Sequence, residues 1–193
     1  MVNKKREVII TSLFIYLNDR YIIFLKSKSK GEIQMKEYTH FGNDHFDPDR
    51  FRPIRNEAYS AKPEYGTGLW ASPGGDVSDY SWLAFLEGAG IDKRSDVHFN
   101  FTLRDDAAIY TIDNVNDFQK IEEFVLNKDK LKYLHAGSIM VRTIYLDFEA
   151  MVRHGIDAIE LDLTKNYSDL YYALYCWDVN SILIMNKDII IPK

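Results

Sequence analysis

Short apolar runs, separated by polar or glycine-containing links, recur along the whole chain, and this pattern indicates a strand-rich protein. The first two runs, residues 8–17 and 21–25, are joined by Asn18-Asp19-Arg20 and predict a β-hairpin. Similar runs predict further strands at residues 38–43, 97–103, 107–112, 139–144, 156–162, 179–185 and 189–191. Because residues 156–162 alternate only imperfectly, we expect that strand at a sheet edge.

Apolar residues at helical spacing are less frequent, and they predict helices at residues 76–86, 114–126, 148–153 and 169–176. Asp76 is the expected start of the first helix and Gly88 its stop. Asp147 is the expected N-cap of the third helix, which should end at His154-Gly155. The pattern therefore predicts an α+β fold built mainly from short antiparallel elements.

The segment 44–62 contains Pro48 and Pro53 and is long for a simple connection. Loops of this length are commonly functional lids or disordered segments. A second connection, holding His135, precedes the run at 139–144.

Composition is that of an ordinary globular protein, with 193 residues, 46% hydrophobic and 27% charged. We expect a single domain, 1–193, with the hairpin at 8–25 in front of a core at about 36–193. The net charge of −5 gives no electrostatic reason to expect nucleic acid or an anionic membrane as partner, although a local basic groove stays possible.

The cysteine content bears on the cellular compartment. One cysteine, Cys176, excludes an internal disulfide and a multi-cysteine zinc site, and we expect a cytoplasmic protein. The apolar run at 8–17 follows Lys4-Lys5-Arg6 as in a signal peptide, but no small-residue cleavage site follows it. The run is also too short to span a bilayer, so no membrane partner is expected.

Residues 40–49 hold two histidines and three aspartates, which raises the question of a metal site. His40 and His45 are five apart, which suits neither one helix face nor one strand face, and Pro48 favours an irregular loop. We expect no metal. His40 remains either a core histidine or a functional one.

The most informative stretch is Tyr65-Gly66-Thr67-Gly68-Leu69-Trp70-Ala71-Ser72-Pro73. Two glycines spaced by one residue allow a tight turn or close approach of a ligand just before a strand. A strand, a bend and a helix would bring Trp70 near Trp82, although two core tryptophans are an equally open interpretation.

This stretch, together with Thr39-His40 before Gly42, Trp82 after Trp70 and a closing strand at 178–188, resembles the order of elements in the ADP-ribosyltransferase superfamily. The likeness is to the branch of the poly-ADP-ribose polymerases and diphtheria toxin, and it covers about half the chain. It implies a compact fold of two packed sheets with a few helices.

The resemblance also implies roles for individual residues. His40 would contact the ribose next to nicotinamide, Trp70 would stack on the nicotinamide ring, and Trp82 would cover its other face. The backbone near Gly42 would pair with the carboxamide. The implied binding set for NAD, which is a substrate, is His40, Gly42, Tyr65, Gly68, Trp70, Ser72 and Trp82.

The sequence departs from the family at the catalytic glutamate, since Asn180-Ser181 stands where the last strand should open with it. Three alternatives stay open. Asn180 can act without charge; another carboxylate can act, with Asp178 first and Glu160 second; or the domain binds a nucleotide without chemistry. Asp178 would share a strand face with Asn180 if the strand has already begun.

The expected function is therefore an NAD-dependent ADP-ribosyltransferase, a glycosyltransferase acting on NAD with an unknown protein, nucleic acid or small-molecule acceptor. The alternative is an inactive NAD- or ADP-ribose-binding or protein-interaction module. Convergence of His40, Trp70, Trp82 and the start of the last strand on one cleft would favour the transferase, and dispersal the module.

Overall fold

The computed structural model describes residues 16–17, 20–21, 36–91, 97–134 and 143–193. The chain divides into two compact units, 1–35 and 36–193. In the first unit, β1 (Tyr16–Leu17) pairs antiparallel with β2 (Arg20–Tyr21). The hairpin is confirmed there, but Arg20 pairs with Leu17 instead of lying in the link. The rest of the predicted hairpin lies outside the described residues. The prediction that residues 1–193 form a single domain is not tested by the structure.

The second unit is built on one seven-stranded sheet. Its strands are β3 (Glu37–Phe41), β4 (Leu69–Pro73), β5 (His98–Leu103), β6 (Ile109–Ile112), β7 (Ala158–Leu161), β8 (Ser181–Ile184) and β9 (Ile190–Pro192). The order across the sheet is β6-β7-β8-β4-β3-β5-β9, and only β6 and β7 are parallel. A mixed fold of mainly antiparallel strands is thus confirmed, while the described part of this unit shows no second sheet packed on the first.

The prediction that residues 156–162 form an edge strand is wrong. β7 lies inside the sheet between β6 and β8, and all four of its residues are buried. Both faces of the strand are covered, so its sequence has no reason to alternate between apolar and polar residues.

The first helix is shorter than predicted. α1 (Trp82–Gly88) begins six residues after Asp76, and Ser81 is its N-cap, accepting a hydrogen bond from the Ala84 N–H at 3.1 Å. Asp76 instead accepts hydrogen bonds from Ser78 and Asn180, which hold residues 76–80 in a turn. The carboxyl group therefore stabilises a turn and not a helix start.

The helix predicted at 114–126 is broken into α2 (Asp117–Lys120) and a 3-10 turn, Glu122–Phe124, and a second 3-10 segment follows at Lys128–Tyr133. The buried Asp117 carboxylate accepts from the backbone N–H groups of Asp113 and Asn114, which favours a turn there. Residues 135–142, including most of the strand predicted at 139–144, lie outside the described residues.

The two later helices agree better with the pattern. α3 (Phe148–Arg153) is capped as predicted, because Asp147 accepts from the Ala150 N–H at 2.9 Å. α4 (Tyr167–Ala173) begins two residues before the predicted start. A short 3-10 turn, Lys187–Ile189, precedes β9. Among the described helices, none is long and apolar enough to cross a bilayer.

Each face of the sheet is covered by its own apolar cluster. Along β8, Ile182 and Ile184 pack with Phe101 on one face, while Leu183 packs with Trp177 on the other. Slipping the register by one residue would exchange these faces, so burial fixes the pairing of β8. The end of β8 nearest Ser181 is thereby held beside β4.

Strand β4 is shared between two neighbours. Leu69, Trp70 and Ala71 pair with β8, whereas pairing with β3 is confined to Ser72 and Pro73. On the β3 side the pairing with β4 stops at Thr39, so β3 and β4 separate from His40 onward.

Candidate functional site

A cleft of about 1020 Å³ opens where β3 and β4 separate. Sites for small molecules commonly enclose about 300–1,000 Å³, so this cleft has room for a ligand as large as a dinucleotide. Its walls come from β3, β4, the 44–62 loop, α1 and the segment that leads into β8. The walls carry, among others, His40, Trp70, Trp82, Asp178 and Ser181. The structure therefore brings together His40, Trp70, Trp82 and residues at the start of β8.

The glycine pair shapes the entrance to β4 as predicted. Gly66 and Gly68 have φ of +76° and +66°, in the left-handed region that favours glycine. A Cβ on Gly68 would lie 2.9 Å from the Ile184 carbonyl oxygen and 3.0 Å from Leu183 Cδ1. The Gly68 N–H donates to the Arg52 carbonyl. Gly68 thus lets the chain enter the sheet directly against β8.

His40 is held in one tautomer on the cleft wall. Its Nδ1–H donates to the Trp70 carbonyl at 2.6 Å, so Nε2 is an acceptor and takes a hydrogen bond from Asn43 at 3.0 Å. Burial lowers the pKa of the imidazole, and the bond to Trp70 opposes this only in part. A neutral ring whose Nε2 accepts from a replaceable amide suits a ligand hydroxyl.

This lowered pKa predicts a pH effect on stability. The unfolded chain binds a proton at His40 more tightly than the folded protein does. The contribution of neutral His40 to the free energy of unfolding is therefore fully present above about pH 6.5 and is lost as pH falls toward the lower folded pKa. His40→Gln should flatten the fall in unfolding free energy between about pH 6.5 and 5, measured by urea titration. His45→Gln is the matched control, because His45 is exposed. If both variants keep the wild-type slope, His40 does not titrate as described.

Trp70 lies half-buried with its ring set by two neighbours. Trp177 packs edge-on against it, with ring centroids 4.6 Å apart, and the Trp177 Nε1–H donates to the Ala61 carbonyl at 2.9 Å. The Lys62 ammonium lies over the Trp70 ring, 5.8 Å from its centroid. Lys62 is half-buried and lines the cleft, and no ion pair with a carboxylate is present for it among the described residues.

Trp82 faces the same cleft from α1. Its ring stacks on Phe85 with centroids 5.3 Å apart, and both line the cleft. The indole N–H is buried and finds no hydrogen-bond acceptor among the described residues. A buried donor without an acceptor costs roughly 1–3 kcal/mol, so a ligand acceptor or water is expected there.

The remaining predicted binding residues are placed unevenly. Tyr65 is 94% exposed at the rim of the cleft, and Ser72 is buried in its wall. Gly42 has φ of +107°, but its N–H already donates to the Val97 carbonyl at 2.8 Å. The Gly42 N–H, which the resemblance assigns to the carboxamide, is therefore already bonded. A ligand would have to replace the Val97 carbonyl as its acceptor.

Asn180 directly precedes β8, close to the predicted strand opening, but its side chain does not line the main cleft. Its Nδ2 donates to Asp76 at 2.9 Å and to Ser78 at 3.3 Å, and its Oδ1 accepts from the Leu163 N–H at 2.8 Å. It is buried and lines a second, smaller cavity and not the main cleft. Asn180 therefore joins three segments of chain, and β8 begins only at Ser181.

Asp178 lies in the main cleft, on the opposite side of the chain from Asn180. The shared strand face was conditional on the strand having begun by Asp178, and this condition is not met because β8 begins at Ser181. Among the three candidates for the missing carboxylate function, the structure places only Asp178 with His40 and Trp70.

Glu160 also faces the smaller cavity, which measures about 260 Å³. Its carboxylate accepts from Lys36 at 2.6 Å and from the Tyr38 hydroxyl at 3.1 Å. Burial, with the Glu160 charge added, raises the pKa of Tyr38. The Glu160 carboxylate thus forms an ion pair with Lys36 and a hydrogen bond with Tyr38. These two partners explain its position without a catalytic role.

The loop histidine and aspartates do not assemble a metal site. The His45 Nδ1–H donates to Asp44 at 2.5 Å, and this bond lowers the pKa of the Asp44 carboxyl. In the described ranges, no three side chains among His, Cys, Asp and Glu are placed to hold a metal ion.

Sequence reasoning missed two cleft residues, Lys62 and Trp177. Trp177 precedes Asp178 directly, so a tryptophan beside the candidate carboxylate was an available signal. Lys62 carried none, because its position over Trp70 depends on the path of the 44–62 loop. That loop is tied to α3, since the Asn56 Nδ2 donates to Asp147 at 2.8 Å.

Comparison with known proteins does not assign the chain to a family. No family model matches it, and neither a curated protein nor a solved structure does.

Proposed function

We propose that this protein is an NAD-dependent ADP-ribosyltransferase with its active site in the main cleft. The observation that carries the proposal is the convergence of His40, Trp70, Trp82 and Asp178 on that cleft. Residues separated by more than a hundred positions line that cleft, and His40, Trp70 and Trp82 among them are residues to which the resemblance assigns NAD contacts. We extend the proposal to a divergent ADP-ribosyltransferase-like fold, supported by the position of the cleft between β3 and β4.

The aromatic side chains supply the recognition of nicotinamide. In NAD this ring is cationic, so an indole face attracts it by stacking and by cation–π interaction, roughly 0.5–2 kcal/mol for each partner. Trp70 and Trp82 offer two such surfaces in one cleft. Lys62 now covers Trp70. Its long side chain can swing aside as the ring enters and pair with the diphosphate of NAD.

The reaction breaks the bond between ribose C1′ and the nicotinamide nitrogen. The electron pair stays on nitrogen, which gives neutral nicotinamide, and positive charge develops on the ribose as an oxocarbenium ion. The Asp178 carboxylate, accepting from the ribose 2-hydroxyl, stabilises that charge. An acceptor nucleophile then attacks C1′ and loses its proton to solvent. His40 Nε2, in place of its bond from Asn43, accepts from a ribose hydroxyl and orients the sugar.

A specific observation favours a second candidate, a module that binds NAD or ADP-ribose without chemistry. The β8 residue that lines the cleft is Ser181, whose hydroxyl donates to the Val179 carbonyl at 3.0 Å and carries no charge. If Asp178, three residues before Ser181, lies too far from the ribose, binding would occur without bond cleavage. The unknown acceptor and a cytoplasmic location belong to the same proposal.

The test is incubation of the pure protein with NAD, with free nicotinamide followed by chromatography and the melting temperature recorded in parallel. NAD should raise the melting temperature by mass action and nicotinamide should accumulate. Trp70→Ala should lose both effects, judged against its own ligand-free melting temperature. Tyr133→Ala, an exposed aromatic outside the cleft, is the control. Stabilisation without release would support the module; neither effect would overturn both candidates.

A further inference from the structure

Five tyrosines form a continuous chain of ring contacts on and beside α4. Tyr80 stacks on Tyr167 with centroids 4.8 Å apart, and Tyr167 contacts Tyr171 at 5.4 Å. Tyr171 in turn contacts Tyr172 at 5.5 Å and Tyr175 at 6.1 Å. We call this set, Tyr80, Tyr167, Tyr171, Tyr172 and Tyr175, the tyrosine surface.

The tyrosine surface lies mainly outside the core, and of its members Tyr80 packs against the core cluster. α4 buries Leu170 and Ala173 in the interior, while Tyr167, Tyr172 and Tyr175 are 37%, 47% and 55% exposed. Single exposed aromatics are ordinary, but a contiguous exposed set marks an interaction surface. Tyrosine in particular is enriched where proteins bind partners.

The charged residues within and directly after α4 along the chain are negative. Residues 166–186 contain no lysine or arginine, but they include Asp169 and Asp178. Lys165, which precedes this stretch, is paired with Asp113 at 2.6 Å. Burial and then the Asp178 charge raise the pKa of the Tyr171 hydroxyl, as expected for a phenol beside a carboxylate. The surface is therefore both aromatic and acidic.

We propose that the tyrosine surface docks a polypeptide segment that presents arginine side chains. A guanidinium stacks on a tyrosine ring through its planar face and donates hydrogen bonds to a carboxylate through its edge. Nucleic acid would also stack on the rings, but its phosphates are repelled by Asp169, Asp178 and the net charge of −5.

The tyrosine surface is next to the main cleft along the chain, because Tyr175 directly precedes Cys176, and Cys176 and Asp178 both line the cleft. A segment bound along α4 therefore lies next to the cleft.

The test uses fluorescein-labelled peptides in which glycine and serine alternate with arginine, lysine or citrulline, the uncharged analogue of arginine. Binding to the full chain is measured by fluorescence anisotropy at about 50 and 300 mM salt. The arginine peptide should bind most tightly and keep part of its affinity at the higher salt. Tyr172→Ser with Tyr175→Ser should weaken it about tenfold or more. Tyr172→Phe with Tyr175→Phe, which keeps the rings, should bind nearly as wild type.

Tyr133→Ser is the matched control, an exposed tyrosine on a different element. Asp169→Asn should weaken binding severalfold, chiefly at low salt. Equal binding of the arginine and citrulline peptides would overturn the proposal, as would unchanged binding in the double serine variant or absence of binding. Tighter binding of a single-stranded oligonucleotide than of the arginine peptide would assign the surface to nucleic acid instead. Because NAD is absent from these titrations, their outcome is separate from that of nicotinamide release.

Discussion

Asp178→Asn should release nicotinamide from NAD at about one-hundredth of the wild-type rate or less, because removing a group that stabilises transition-state charge typically costs about 2.7–4 kcal/mol. The amide keeps the shape of the carboxylate and its capacity to accept from the ribose hydroxyl. The amide lacks the negative charge that stabilises the oxocarbenium ion. The fall should therefore appear in kcat, with KM little changed, in steady-state assays of nicotinamide release.

Glu160→Gln is the matched control for this prediction, since Glu160 faces the smaller cavity with Lys36. Its folded fraction should keep nicotinamide release within about twofold of wild type, the level expected when no transition-state contact is lost. The reverse result, with Asp178→Asn active and Glu160→Gln inactive, would show that the carboxylate has been assigned to the wrong cavity.

Gly68→Ala should destabilise the protein by roughly 2–4 kcal/mol, the largest stability effect expected from any single methyl group at the site. About 1–2 kcal/mol comes from a left-handed backbone that disfavours a side chain, and the rest from overpacking. The new methyl would lie within 2.9–3.0 Å of Ile184, Leu183 and Ile54 atoms. Urea unfolding of both proteins, with the slope compared, measures the difference.

Gly75→Ala separates the two causes. Gly75 has nearly the same φ, +69°, but nothing lies within 4 Å of a Cβ built there. It should therefore cost only the backbone share, about 1–2 kcal/mol. Equal losses in the two variants would mean that the walls around Gly68 relax and that the entrance to β4 is not tightly packed.

The strands could be predicted from the sequence because their signals are local. β3, β4, β5, β6 and β8 each coincide with an apolar run. The neighbours of a strand are not a local property, which is why β7 was expected at an edge although it lies inside the sheet. The start of α1 was missed for a related reason, since Asp76 bonds with Asn180, about a hundred residues away.

Some residues of the candidate site could likewise be predicted from local motifs, and others could not. His40, Trp70 and Trp82 could be brought together from motifs, and the structure does so. The choice among Asp178, Asn180 and Glu160 could not be made, because it depends on where β8 begins and which way each side chain turns. Three hydrogen bonds turn Asn180 away from the cleft, and the bonds from Lys36 and Tyr38 hold Glu160 in the smaller cavity.

The separation of β3 from β4 after Thr39 gives the sheet an internal fork. At a fork, backbone groups that would pair with a neighbouring strand face a cavity, so the sheet has an edge in its middle as well as at its sides. The His40 ring spans the opening of this fork by its bond to the Trp70 carbonyl. Under the proposed function, a flat ligand with donors and acceptors that displaced this bond would add to the sheet as a short strand does, and the main chain would take part in its recognition.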